Sequence, residues 1–223
     1  PVPLVANEAR LVLEGMLRRG FTTVRDAGGA DWGLAQAVER GLIRGPRLFF
    51  SGRVLSQTGG HGDFSPREDA PRLCACGIRT SGFSHVADGV DAVRKAAREE
   101  LRRGAHQVKI MASGGVASPT DPIWNLQYSQ DEMRAIVEEA HGWRTYALAH
   151  AYTPEAIARA VRAGVRSIEH GNLIDAESVG STDSVHLVAQ LARAPRAVVH
   201  GSKSRKKTGL DGDCRIPSSG NTT

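Results

Sequence analysis

The chain of 223 residues has few cysteines, no long apolar run and no charge excess in its body. Its three cysteines, Cys74, Cys76 and Cys214, are an odd number, and Cys74-Ala75-Cys76 is too tight for the usual CxxC metal or redox geometry. The pattern argues against a disulfide framework and for reduced thiols, so a reducing, cytoplasmic location is expected. No apolar stretch approaches the roughly 20 residues that a membrane helix needs, and no membrane partner is expected. No secretory leader is visible, and the chain opens on Pro1 rather than methionine, so an upstream segment is expected to be missing. The net charge is +5, but residues 180–223 hold seven Lys and Arg against three Asp, which leaves residues 1–179 nearly neutral. A neutral body offers no face for nucleic acid. The basic run at 202–207 reads as a solvated tail.

What is present is an alternation of strands and helices. Hydrophobic residues at 40% and charged residues at 24% suit a soluble globular domain with a substantial core. Residues 6–19 read as an amphipathic helix with Leu11, Leu13, Met16 and Leu17 inward, closed by Gly20. Short strands follow at 21–25 and 47–52, separated by a helix at 31–42. A long Gly-rich loop occupies 57–84, and a loop of that length is usually functional or disordered. A charged helix at 90–103 precedes the strand around Lys109, and a second loop at 116–128 follows it. Ser129 with Glu132 forms a capping box for a helix at 130–141. Thr153 and Pro154 open another helix, which Gly164 stops. Strands at 144–149 and 166–169 end in His150 and His170. Five strands in such alternation predict a parallel sheet with helical crossovers.

The stretch 106–115, HQVKIMASGG, organises the rest. A lysine within an apolar strand is costly to bury unless it has a partner or a task. Gly114 and Gly115 let the backbone turn and come close to a ligand. Lys109, His150 and His170 all lie at carboxyl ends of strands, where (β/α) barrel enzymes place their chemistry. The expected fold is therefore α/β, an incomplete (β/α)8 TIM barrel over residues 1–179. Residues 180–223 are expected to be an atypical basic tail, disordered or non-native in origin.

The segments FTTVRDAGG, SQTGGHGD, VKIMASGGVASPTDP, YSQDEMRAIVEEAH, AHAYTPEAIARAVRAGV and SIEHGNLID together resemble the amidohydrolase superfamily. The nearer resemblance is to its imidazolonepropionase-like and Xaa-Pro dipeptidase (prolidase-type) branch. The separations, 41 residues from Lys109 to His150 and 20 from His150 to His170, match that branch as a set. The resemblance implies a metal-dependent hydrolase acting on carbon–nitrogen bonds, with one or two divalent ions, usually zinc. It implies that Lys109 is the carboxylated lysine whose carbamate bridges the metals, and that His150 and His170 are metal ligands. It also places Tyr152 on the same rim as a substrate-binding and catalytic group. Nothing here matches the family's first-strand His-x-His pair or its last-strand aspartate. A fragment lacking the first and last barrel strands is expected.

A neutral lysine amine can take up CO₂ to give a carbamate, and imidazole nitrogens suit zinc. His61, between glycines on the 57–84 loop, is a candidate substrate contact. The substrate class is a small amide, a dipeptide or a cyclic amide. Two alternatives stay open. In one, Lys109 forms a Schiff base in a lyase, with Gly114 and Gly115 holding a phosphate. In the other, the chain is an inactive barrel fragment whose open strand edges favour association. Self-association into a homo-oligomer is left open.

Overall fold

The computed structural model of the chain describes residues 2–65, 83–116 and 121–175. The expected tail at 180–223 and all three cysteines lie outside the described residues. In chain order the elements are α1 (Val2–Arg18), β1 (Thr23–Arg25), α2 (Trp32–Glu39), β2 (Arg47–Phe49), β3 (Val54–Ser56) and β4 (Ser84–Val86). They continue with α3 (Val90–Arg102), β5 (Val108–Met111), α4 (Gln130–Gly142), β6 (Ala147–Ala151), α5 (Pro154–Arg162) and β7 (Ser167–His170).

All strand pairs are parallel. β1 pairs with β2, and a second sheet runs β4-β3-β5-β6-β7. The sequence reading expects five strands, and seven are found among the described residues. The two it omits, β3 and β4, are three residues each and flank the Gly-rich loop. No helix separates β2 from β3, so β3 falls outside the strand–helix alternation on which the sequence reading rests, and β4 emerges only at the end of the Gly-rich loop.

Alternation along the strands sorts their side chains onto two faces. Val108, Ile110, Ala147, Ala149 and Ile168 join the main apolar core with Val93 and Leu101 of α3, Met133 and Ile136 of α4, and Ile157 of α5. The opposite parity presents Lys109, Leu148, His150, Ser167 and Glu169 to the inner face, since register pairs Lys109 with Leu148, Leu148 with Ser167 and His150 with Glu169. Arg25 of β1 reaches across that face to Glu169 of β7 at 2.6 Å, with Ser167 Oγ and Tyr146 Oη at 3.3 and 3.4 Å. Parallel strands, helices outside and a spanned inner face make this part of a (β/α)8 barrel.

The helix ends follow local chemistry. Ser129 Oγ accepts from Glu132 N, and Glu132 returns the bond to Ser129 N, which completes the predicted capping box. The other Glu132 oxygen accepts from Gly89 N at 2.7 Å, so one carboxylate ties the start of α4 to the start of α3. Thr153 caps α5, with Pro154 in the first turn. The expectation for α1 needs correction. Leu13 is buried, but Leu11 and Leu17 are 59% and 38% exposed. The helix seats on the fold at Leu13 beside Gly45, where a Cβ would lie 3.0 Å from Leu13 Cβ. Its contact stripe is narrower than its apolar stripe.

Ile136 is fully buried in the main core. Ile136→Ala is expected to lower stability by about 2–5 kcal/mol, read as a lower denaturation midpoint at unchanged m-value. Glu132→Ala removes bonds at two helix starts and is expected to cost more than Ser129→Ala, for which about 1 kcal/mol is the usual loss. Equal costs would show that the Gly89 bond contributes nothing.

Candidate active site

Lys109 is the second of the four residues of β5, not at the carboxyl end expected from the sequence, and has 3% of its surface exposed. Burial works against its charge, and this lowers its pKa from 10.5 to about 8. Glu169 and Asp26 oppose the shift, while Arg25 adds to it. Arg25 engages Glu169 directly, so the carboxylate nearest in charge to the lysine is already shared. Asp26, just past β1, accepts from Gly28 N and Ala30 N at 2.9 and 3.0 Å. Burial raises its pKa, against those bonds and Lys109. The lysine is thus held where a modest change of pH makes its amine neutral.

His150 is the last-but-one residue of β6, opposite Met111 of β5 and Glu169 of β7. It is 3% exposed, and burial together with the charge of Lys109 pushes its pKa down to about 2. The imidazole is therefore neutral across the ordinary pH range. Its Nε2 lies 3.0 Å from Gly114 O, which can only accept, so Nε2 carries the hydrogen and Nδ1 the lone pair.

His170 ends β7, opposite Ala151. Strand parity alone would send it to the helix side, away from Glu169. Its φ of +76° is left-handed, which is unusual for a residue with a Cβ, and marks the break in parity. The ring lies 4.7 Å from that of His150 at 71°. Tyr152 completes the group, edge-on to His150 at 5.0 Å and nearly parallel to His170 at 5.2 Å. Burial raises the Tyr152 phenol pKa, so the hydroxyl keeps its proton.

His61 arrives from the Gly-rich loop and stacks on His150 with centroids 4.3 Å apart and planes at 17°. The four predicted rings, His61, His150, Tyr152 and His170, therefore form one cluster, and Lys109 acts on it through its charge. The room left by Gly114 and Gly115 is taken by the protein itself. A Cβ at Gly114 would lie 1.9 Å from Pro122 O, and one at Gly115 would lie 2.0 Å from His61 Cε1. The phosphate cradle of the Schiff-base alternative is thus filled by Pro122 and His61. Sequence reading missed Arg25, Asp26, Asp121, Gln127 and Glu169. Asp26 and Glu169 carried a signal, being titratable at strand ends; Arg25 and Glu169 are 144 residues apart and only the fold joins them. His106 is structural, its Nδ1 accepting from Phe50 N at 3.2 Å.

The donors fit a divalent ion in kind, since one amine is near neutrality and two imidazoles stand at neighbouring strand ends. Among the described residues no three His, Cys, Asp or Glu side chains gather into a metal cluster. No helix among the described residues is long and apolar enough to cross a membrane.

Comparison with known proteins agrees with this fold. The chain is 39% identical over 168 residues to the ochratoxinase of Aspergillus niger, an alignment covering 72% of this chain and 35% of that protein. A prolidase crystallised with N-methylphosphonate-L-proline superposes with a TM-score of 0.76 at 63% identity, over 80% of this chain and 44% of the other. A Xaa-Pro dipeptidase with bound methionine superposes with a TM-score of 0.70 at 29% identity, over 86% and 51%. The chain thus spans about a third to a half of the length of these relatives. The sequence model of the amidohydrolase family matches residues 4–214. With most of its length matched, the chain belongs to the amidohydrolase family.

Proposed function

We propose that this chain supplies part of the active site of a hydrolase that cleaves an amide or peptide bond in a small substrate. Lys109, His150 and His170 would hold one or two divalent ions, zinc foremost. A divalent ion in such a site polarises the scissile carbonyl and acidifies the attacking water. The observation that carries the reading is the buried Lys109 amine, lowered to about 8, on the same inner face as the neutral His150. In its neutral form the amine nitrogen bonds to the carbon of CO₂, a proton leaves to solvent, and a carbamate remains. Desolvation favours the neutral amine that reacts, and bound divalent cations would offset the negative charge of the carbamate. His150 needs no deprotonation to act as a ligand, since it is already neutral.

Tyr152 keeps its phenolic proton and would donate it in a hydrogen bond to a substrate carbonyl or carboxylate. His61 would contact the substrate beside it. Likeness to a prolidase, a Xaa-Pro dipeptidase and an ochratoxinase supports a dipeptide or a related amide as the substrate class. A reducing, cytoplasmic setting belongs to the same proposal.

Two outcomes check this reading. Purified chain is expected to retain about one or more zinc ions, with Xaa-Pro dipeptide hydrolysis that a chelator removes. Lys109→Ala should lose both, by more than the roughly 100-fold that loss of a mere supporting partner brings at metal sites. Retention of metal and turnover in that variant would overturn the assignment. The second outcome concerns stability in the metal-free chain. Between pH about 8 and 10.5 the unfolded chain holds a proton on Lys109 that the folded chain has released, so stability from this group rises with pH there. Below about 8 the full burial penalty applies. Wild type minus Lys109→Met should show that rise in denaturation midpoint, and a flat difference would contradict the lowered pKa.

A further inference from the structure

His61 sits in a socket whose hydrogen bonds run in one direction. Its backbone N–H donates to Gln127 Oε1 at 2.9 Å. A backbone amide can only donate, so that Gln127 atom is the carbonyl oxygen, and the amide nitrogen lies on the other side. Gln127 Nε2 then donates to Asp121 Oδ2 at 3.0 Å. The same carboxylate oxygen lies 3.2 Å from His61 Nδ1. The three residues close a cycle that starts and ends on His61, and its polarity leaves the imidazole as the donor.

The socket is also tight. The Asp121 side chain is fully buried, and its second oxygen has no hydrogen-bond partner among the described residues. The ring occupies space that only glycine at 115 leaves, and it stacks on His150. A solvated loop histidine needs none of these restraints. They fix a particular ring orientation with a particular nitrogen protonated.

We propose that Asp121 and Gln127 are positioning residues that hold His61 as its Nδ1–H tautomer, so that His61 meets the substrate through Nε2 as a hydrogen-bond acceptor. The inference rests on the reading of His61 as a substrate contact and makes it chemically specific. An acceptor recognises an N–H or O–H, such as the free amino group of a dipeptide or a water, and offers nothing to a carbonyl oxygen. Tyr152, which keeps its proton, supplies the complementary donor.

The test is long-range proton–nitrogen correlation NMR on the full chain with ¹⁵N-labelled histidine at mildly alkaline pH. The His61 signal is assigned by its loss in His61→Gln. In the wild type, His61 should be protonated at Nδ1 and bare at Nε2. Asp121→Ala should lose that signature and give the Nε2–H form or an exchanging mixture. Asp121→Asn, whose amide oxygen can still accept, should keep it. A wild-type His61 protonated at Nε2 overturns the proposal without any variant, so a variant that fails to fold leaves the test intact. An unchanged Nδ1–H signature in folded Asp121→Ala overturns it as well. None of these signals depends on metal or turnover, so failure of the hydrolase reading and failure of the tautomer assignment are separately visible.

Discussion

Burial of the Lys109 amine sets the terms for the structure around it. A charged ammonium removed from water among parallel strands is strongly disfavoured unless it is paired or neutral. Glu169, whose charge opposes the lowering of the Lys109 pKa, is drawn to Arg25 at 2.6 Å, which limits what it can offer the lysine. Asp26 accepts two backbone N–H bonds of its own turn at one oxygen, Oδ1. Glu169 and Asp26 therefore offset only part of the burial penalty, and the Lys109 pKa stays lowered to about 8. The same burial keeps His150 neutral. One constraint prepares both a reactive amine and a nitrogen ligand.

Above this layer the chain spends its irregular backbone on aiming rings. Gly115 leaves the space that the His61 ring fills, and the left-handed φ at His170 breaks the strand parity that would otherwise turn it outward. Such departures concentrate where geometry matters for binding. The supporting elements are regular by comparison: α3, α4 and α5 pack small and branched apolar residues against the back of the sheet, and capping bonds fix where two of these helices begin. A rigid back and a strained rim are what a barrel site requires.

Much of this was legible in the sequence because its causes are local. Ser129 and Glu132 announce a helix start through bonds three residues apart, and Thr153-Pro154 does the same for α5. His150 and His170 stand at strand ends that alternation and glycine stops locate. What was hidden has non-local causes. β3 follows β2 without a helix between them and β4 closes the Gly-rich loop, so neither fits the strand–helix alternation. Leu11 and Leu17 look inward on a helical wheel, yet among the described side chains of α1 it is Leu13 that is buried. Nothing in the loop at 116–128 says that Asp121 and Gln127 close a cycle on a residue some sixty positions earlier, and nothing local joins Arg25 to Glu169.

The claim on which the rest depends is that burial lowers the Lys109 pKa far enough for its neutral amine to form a carbamate. Carbon NMR of zinc-treated chain equilibrated with ¹³C-labelled bicarbonate tests it most directly. The account predicts one carbamate resonance in the wild type that Lys109→Met lacks. A folded, zinc-binding wild type with no such resonance would contradict it, because metal would then be held without the lysine carbamate.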